Sequence, residues 1–384
     1  MRSRTVIISP YSSGGSLLYL QHLIHAFEKK DYQVTFCLPK DAGIKIQTKM
    51  NCYYILRDPS AHPVFLKIKF FKYIYHLSKY LYNSLKVEPE EDFIVAHLLF
   101  PFYLTDLLTI RRLKKKRCKV ILTIHEVFPH KPFLGGKIDL RIIKRLYENA
   151  DLLLVHSNTL KNELLDLFSL NPEKVRVIPH GYFDLPQSPV DTITLKKKYH
   201  VPPDRKILLF FGTIRENKGL DILLDVMKAV KEDFFLLIAG QIAGVSEPSA
   251  DHYKNIIRTC NIDDSVYWVE RYITEEEAAE VFKIADTVVL PYRKSFHAQS
   301  GVLNLAIGYE KPCIVSDVGG IGETVRLYDI GIVVEPENTE DLQRGITRVF
   351  EGNIKFGFDK YKNDNNWDRV CDNLISTYEE LMNK

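Results

Sequence analysis

Short runs of aliphatic and β-branched residues alternate with longer stretches in which apolar positions recur every three or four residues, along almost the whole chain. Runs at 5–9, 33–38, 93–97, 119–124, 152–155 and 175–178 predict strands in the first half. Runs at 207–211, 234–239, 266–269, 287–290, 313–316 and 332–334 predict strands in the second. The helical periodicity between them predicts crossover helices, and strands joined in that way form parallel sheets. The pattern occurs twice, so the expected fold class is α/β, with two doubly wound Rossmann-like domains facing each other across a cleft. Proline and polar residues at 185–189 (LPQSP) and 201–204 (VPPD) punctuate the chain between the two series. They divide it into a domain at 1–186, a linker at 187–204, a domain at 205–365 and a final helix at 366–384.

One periodic segment differs from the rest. Residues 66–86 carry five lysines and no acidic residue. On a helical wheel Leu66, Phe70, Ile74, Leu77, Leu81 and Leu85 form one stripe, Lys69, Lys72, Lys79 and Lys86 lie opposite, and Phe71, Tyr75 and Tyr82 fall between. Such a helix suits a membrane interface. It equally suits packing on a sheet through the leucines, with the lysines in water. The four lysines are the candidates for contact with an anionic membrane surface. Residues 111–119 add seven cations in nine positions, a pattern that fits a helix C-terminus, where positive charge complements the macrodipole.

Composition agrees with this division. At 384 residues the chain is about twice the usual domain length of roughly 100–200 residues. With 46% AVILMFWYC and 26% charged residues, it can fill sizeable cores. The six cysteines, Cys37, Cys52, Cys118, Cys260, Cys313 and Cys371, show no C-x-x-C spacing and read as reduced thiols of a cytosolic protein. No apolar run approaches the ~20 residues of a membrane span. The expected location is therefore cytoplasmic, with peripheral association at the inner face of the membrane as the use of the basic helix. Net charge is only +3, but residues 1–190 hold 28 Lys/Arg against 17 Asp/Glu, and residues 191–384 hold 24 against 32. The basic half suits an anionic partner. Nucleic acid is not the expected one, because neither zinc spacing nor an RNA-binding motif is present.

In doubly wound sheets ligands bind beyond the carboxyl ends of strands. After the first predicted strand comes PYSSGGS at 10–16, where Gly14 and Gly15 open a helix and let backbone amides approach an anion. The loop has neither the G-x-G-x-x-G of dinucleotide binding nor the Gly-Lys-Ser/Thr of a P-loop, so hydride transfer and NTP hydrolysis lose support. His125 and Glu126 follow the strand at 119–124. The spacing to His130 does not fit a zincin, and His125 is open to a hydrogen-bonding structural role or to a role in the cleft. In GTIRENKG at 212–219, Arg215 and Lys218 flank a helix start, where two cations could hold a diphosphate. PYRKSFHAQSGVLN at 291–304 and SDVGGIGET at 316–324 place small and polar residues at two further helix starts. No metal site is expected, since no convincing Asp-x-Asp motif occurs.

Several segments together resemble a known family. FFGTIRENKGLDILL at 210–224, IPHG at 178–181, QSGV at 299–302, EKPCIVSDVGGIGE at 310–323 and GIVVEP at 331–336 look like the donor half of the retaining glycosyltransferases of family 4, which have the GT-B fold. Gly14 and Gly15, His125 and ADLLLVHS at 150–157 extend the likeness over almost the whole chain. The resemblance implies a UDP- or GDP-sugar donor, a glycan or lipid-linked acceptor on the N-terminal side, and no separate cofactor. It implies donor contacts from Gly14, Gly15, Arg215, Lys218, His297, Gln299, Ser300, Gly301, Val302, Gly319, Gly320 and Glu323. His125 would stand near the reacting sugar, with Arg215 and Lys218 as its catalytic companions on the diphosphate. The final helix would return to the N-terminal domain.

Two departures separate this chain from the usual pattern. The arginine of the cation loop stands three residues before Lys218 rather than five, where Thr213 is found. The usual pair of glutamates eight apart falls at His297 and Leu305, so QSGV marks a variant subgroup. The implied function is hexose transfer with retention from a nucleoside-diphosphate sugar to a hydroxyl acceptor, without metal, in surface polysaccharide or glycolipid assembly. A catalytically impaired partner subunit and a nucleotide-sugar epimerase are the alternatives.

Overall fold

The computed structural model describes residues 4–11, 13–40, 46–59, 69–87, 93–130, 132–244, 247–351 and 355–383, with the side chains of 69–74 outside that description. The first sheet contains β1 (Thr5–Ile8), β2 (Val34–Pro39), β3 (Asn51–Leu56), β4 (Val95–Leu98), β5 (Lys119–Thr123), β6 (Leu152–Val155) and β7 (Val175–Val177). The second contains β8 (Lys206–Phe211), β9 (Phe234–Ala239), β10 (Val266–Val269), β11 (Thr287–Leu290), β12 (Cys313–Ser316) and β13 (Gly331–Val334). The helices of the first half are α1 (Gly14–Glu28), α2 (Lys69–Lys86), α3 (Asp106–Lys115), α4 (Gly136–Asn149) and α5 (Asn158–Phe168). Those of the second are α6 (Thr192–Lys198), α7 (Leu220–Val230), α8 (Ala250–Thr259), α9 (Glu275–Ile284), α10 (Gly301–Gly308), α11 (Ile321–Tyr328), α12 (Thr339–Arg348), α13 (Phe358–Asp364) and α14 (Trp367–Met382).

Both sheets are parallel throughout, in the orders β3-β2-β1-β4-β5-β6-β7 and β10-β9-β8-β11-β12-β13. Parallel strands need covering on both faces, and β1, β4, β6, β9, β11 and β12 are buried along their whole length. In each sheet the order reverses at the first strand of the series, between β1 and β4 and between β8 and β11, which marks the crevice where ligands of such sheets bind. One core joins Val120, Leu122, Leu153 and Val155 to Ile143, Leu146, Leu160 and Leu164. The other joins Leu208, Phe210, Leu236 and Ile238 to Leu220, Leu223, Leu224 and Met227. Burying each such leucine or isoleucine contributes about 1.5–3 kcal/mol.

The chain divides into two units, Met1–Gly181 with Asn365–Lys384, and Tyr182–Asp364. The linker expected at 187–204 is instead part of the second unit. Asp191 caps α6 by accepting from the Thr194 amide, Leu195 is fully buried, and Lys283 Nζ donates to the Ser188 carbonyl at 2.8 Å.

Helix α14 belongs to the first unit. Asn366 caps it at the Arg369 amide, the Trp367 ring lies 5.0 Å from that of Tyr19, and Tyr378 is fully buried. Any side chain at Gly181 would collide with the Trp367 indole, at 2.5 Å. Strand β3 has no counterpart in the sequence expectation: it is an edge strand with Asn51 and Tyr53 exposed, so it lacks the continuous apolar run of its neighbours.

Candidate functional site

In the second unit the loops after β8, β11 and β12 meet. Gly219 makes this possible: its φ is +65°, and a Cβ there would fall 2.0 Å from the Pro291 carbonyl oxygen, so only glycine permits the approach. Arg293 ties the same two loops together. Its amide donates to the Asn217 carbonyl at 2.9 Å, its Nε donates to the Glu216 carbonyl at 3.1 Å, and its guanidinium pairs with Asp221 and with Glu337. The loop after β12 joins through the Gly320 amide, which donates to the Ala298 carbonyl at 3.2 Å. Val302 and the Lys218 ammonium both lie beside Gly212, 3.3 and 3.7 Å from where its Cβ would be.

Arg215 is exposed and Lys218 half-buried on this loop, and neither has an ion-pair partner among the described residues. Burial, helped by the charge of Arg215, brings the Lys218 ammonium down to a pKa of about 7. Glu216 stands between the two cations in the chain but is exposed, and no ion pair joins it to either of them among the described residues, so the pair remains open to a further anion. The Glu216 amide is not available to an anion, because it donates to Glu247 Oε2 at 2.8 Å. Gln299 is half-buried, and its Oε1 is shielded from solvent without a hydrogen-bond partner. Ser300 is buried and holds the fold: its Oγ accepts from the Leu303 amide and lies 3.2 Å from Tyr292 Oη. Gly301 is exposed, Val302 buried, His297 and Glu323 half-buried, and Gly319 buried beside Gly320. Leu305 is only 8% exposed, so the position of the second family glutamate is filled by core packing.

In the first unit, Gly14 and Gly15 begin α1 at the carboxyl end of β1. Gly14 has φ +59°, Ser13 makes no side-chain cap, and a Cβ on either glycine would meet nothing within 4 Å. Both glycines are exposed. Strands β5, β6 and β7 each deliver a histidine just past their carboxyl ends: His125, His156 and His180. Tyr19 of α1 lies against all three, with centroids at 5.2, 6.1 and 4.9 Å. His156 Nε2 lies 3.1 Å from His125 Nδ1. Burial holds His125 well below the ordinary imidazole range, His156 at about 4 and His180 at about 3. Glu126, paired with His125 in the sequence, shapes the loop instead, since its Oε1 accepts from the His130 amide at 3.0 Å. His156 and His180 carried no expected role, although both stand directly after strands in segments that resemble the family, ADLLLVHS and IPHG.

At Lys79 the lysine face of α2 does not turn to solvent as expected. Lys79 is 3% exposed and donates to the Asp58 carbonyl at 2.8 Å, whereas Leu81 and Leu85 are 41% and 49% exposed. The reason lies in what the helix packs on: Asn83, also buried, exchanges hydrogen bonds with the main chain of Arg57, so the polar face finds backbone partners that leucine could not satisfy. Lys86 is exposed, and with Lys40 and Arg57 it surrounds the Tyr82 ring at 5.9, 5.3 and 4.6 Å. The side chains of Lys69 and Lys72 lie outside the described residues. Among those residues no helix is long and apolar enough to cross a membrane, no group of three or more His, Cys, Asp or Glu could hold a metal ion, and none of the six cysteines is in a disulfide.

Comparison with known families bears on both units. Residues 13–182 match the family described as Glycosyltransferase Family 4, and residues 191–365 match Glycosyl transferases group 1. The chain carries a family 4-like and a group 1 glycosyltransferase domain, of the GT-B type. These two glycosyltransferase domains have a relative in an uncharacterised glycosyltransferase of Methanocaldococcus jannaschii, 27% identical over 252 residues, 62% of this chain and 61% of the relative. The chain thus spans less than two thirds of that relative's length. Among solved structures, sucrose-phosphate synthase of Thermosynechococcus elongatus superposes with a TM-score of 0.75 at 20% identity, covering 99% of each chain. The HepE protein of Anabaena, in complex with UDP and glucose, gives 0.74 at 14% identity over 98% of this chain and 100% of its own. At these identities the likeness establishes the GT-B fold.

Proposed function

We propose that this protein is a retaining, metal-independent glycosyltransferase that moves a hexose-type sugar from a UDP- or GDP-sugar to a hydroxyl acceptor. The observation that carries this reading is the pair Arg215 and Lys218, two cations without ion-pair partners among the described residues, at the switch point of the second sheet. As the bond between the sugar's anomeric carbon and the diphosphate oxygen breaks, the electron pair leaves with the diphosphate, and the two cations would offset the negative charge that builds on it. Gln299, with its orphaned buried oxygen, and the turn at Gly319 and Gly320 with Glu323 supply further polar contacts to the donor. Gly14 and Gly15, exposed at the start of α1, would contribute their amides, and His125 would orient the sugar.

The acceptor is proposed to be a glycan or a lipid-linked glycan used in surface polysaccharide or glycolipid assembly. The protein would then work in the cytoplasm, peripheral at the inner face of the membrane. Support comes from α2, whose outward leucines and neighbouring cations suit an anionic bilayer.

Calorimetric titration with UDP, GDP and their sugar conjugates, followed by transfer assays against hydroxyl acceptors, tests the reading. Binding of one nucleotide class, lost in the double variant Arg215→Ala, Lys218→Ala, supports a donor site. Turnover retained in that double variant rejects it. Buried Leu305 in place of a carboxylate favours one second reading, a catalytically impaired partner subunit, which would show neither tight nucleotide binding nor transfer.

A further inference from the structure

The histidines after β5 and β6 form a chain whose direction is set at its far end. His156 Nδ1 lies 3.0 Å from the Ile178 carbonyl oxygen, which can only accept, so Nδ1 carries a proton. Deep burial keeps the His156 ring neutral near pH 7, and its Nε2 is therefore a bare lone pair. That lone pair faces His125 Nδ1 at 3.1 Å. Two lone pairs at this distance would repel, so His125 Nδ1 must donate. A neutral His125 then has no proton left for Nε2, the atom that is shielded from solvent and has no hydrogen-bond partner.

The groups packed around the ring do not disturb this order. Tyr19 of α1 presents its ring edge-on, Phe100 after β4 stacks on the imidazole at 4.5 Å, and His180 stands 6.5 Å away. The Leu99 main chain also lies by the ring, and the competing arrangement, with the proton moved from Nδ1 to Nε2, would leave the two histidine lone pairs facing each other.

We propose that His156 is a positioning residue that locks His125 in its Nδ1–H form, so that His125 meets its ligand as a hydrogen-bond acceptor. The matching ligand group is a hydroxyl. On the glycosyltransferase reading, from which this part follows, it is a hydroxyl of the transferred sugar, and a donor with fluorine or hydrogen in that place loses the contact. His156 itself touches no ligand. A carbonyl or phosphate oxygen is refused at this point, since both sides would offer lone pairs.

The test is long-range nitrogen–proton correlation NMR on the histidine-labelled full chain, with the His125 signals assigned by His125→Asn. The expected result is an unprotonated Nε2 on His125 in the wild-type protein. In His156→Leu the His125 proton should distribute over both nitrogens, and in His156→Gln, whose amide oxygen can accept from Nδ1–H, the single form should return. Where transfer is measurable, His156→Leu should lower kcat roughly tenfold, with a smaller change in KM, and His156→Gln should recover most of it. A protonated Nε2 in the wild-type protein, or an unchanged tautomer in folded His156→Leu, overturns the proposal. Because the spectrum needs no substrate, a fixed tautomer in a protein that neither binds nucleotide nor transfers sugar upholds the lock while rejecting the transferase reading.

Discussion

Arg215 and Lys218 act on each other: the guanidinium charge adds to burial in lowering the lysine's proton affinity, and the Lys218 ammonium stands 5.8 Å over the Tyr292 ring. Apart from Glu216, which is exposed and joined to neither cation by an ion pair among the described residues, the nearby carboxylates are engaged elsewhere. Asp221 and Glu337 are taken by Arg293, and Glu247 by the Glu216 amide. The result is a loop held in shape by acid–base pairs, with its two remaining cations left over for a ligand.

Nucleotide binding should therefore take up a proton. With a free pKa of about 7, Lys218 is largely neutral above neutrality, while a bound diphosphate favours the charged ammonium and raises that pKa. Binding should weaken as pH rises above ~7, by up to about tenfold per pH unit until the pKa of the complex is passed. Calorimetry in buffers of different ionisation enthalpy measures the proton directly. The slope should shrink in Lys218→Met, and an equal slope in that variant would place the linkage on another group.

Arg293 should matter for nucleotide affinity although its charges are spent inside the protein. Replacing it by methionine keeps the side-chain stem but removes the bonds to Glu216, Asp221 and Glu337. The loop at 212–219 would lose its anchor, and Asp221 and Glu337 would be free to draw Arg215 and Lys218 away. We expect a nucleotide Kd at least tenfold weaker, equivalent to about 1.4 kcal/mol, with a fall of only a few degrees in Tm. Equal affinity in the folded variant would show that the loop holds itself.

The sequence made the sheets legible because parallel strands buried on both faces must be apolar without interruption, as in the run from Ile207 to Phe211, fully or nearly fully buried. Strand β3 escaped because an edge strand has no such obligation, and Tyr53 alternates into solvent. The cation loop was legible because glycine, sign and position coincide in eight residues. The histidine set was not: His125, His156 and His180 are spread over 56 positions and come together only when β5, β6 and β7 lie side by side. The orientation of α2 is hidden in the sequence for a physical reason. A helical wheel ranks faces by hydrophobicity, whereas the Asp58 and Arg57 carbonyls required donors, which Lys79 and Asn83 supply.

Acid should destabilise the first unit before the carboxylates explain it. His97, between Tyr378 Oη and Thr123 Oγ1 at 2.7 Å each, and His180 are held at about 3, and His156 at about 4, against an ordinary value of 6.5. Each binds a proton more readily when unfolded, so its contribution is complete above pH 6.5 and is lost as pH falls toward the folded values. The slope is up to about 1.4 kcal/mol per pH unit per histidine. Thermal unfolding should show a marked drop in Tm between pH 7 and pH 5. His97→Gln, whose amide can serve the same two hydroxyls, should flatten the drop; an unchanged pH profile in that variant would assign the acid sensitivity to other groups.

If α2 meets a bilayer, the leucines should carry the binding and the lysine at its centre should not. Leu81 and Leu85 are turned outward, and each can gain about 1.5–3 kcal/mol by leaving water. Lys86, Lys40 and Arg57 around Tyr82 would add attraction to anionic headgroups, which salt screens. Lys79 is committed to the Asp58 carbonyl. Leu81→Ser with Leu85→Ser should therefore lower partition onto phosphatidylglycerol vesicles by at least tenfold while leaving Tm nearly unchanged. Lys79→Ala should do the reverse, lowering Tm through a buried carbonyl left without a donor, at about 1–3 kcal/mol, with little effect on partition. Raised salt should weaken the leucine-intact protein only in part, since the apolar contribution is not screened. Partition that survives the double serine substitution would remove α2 from the membrane-binding surface and with it the main structural support for a lipid-linked acceptor.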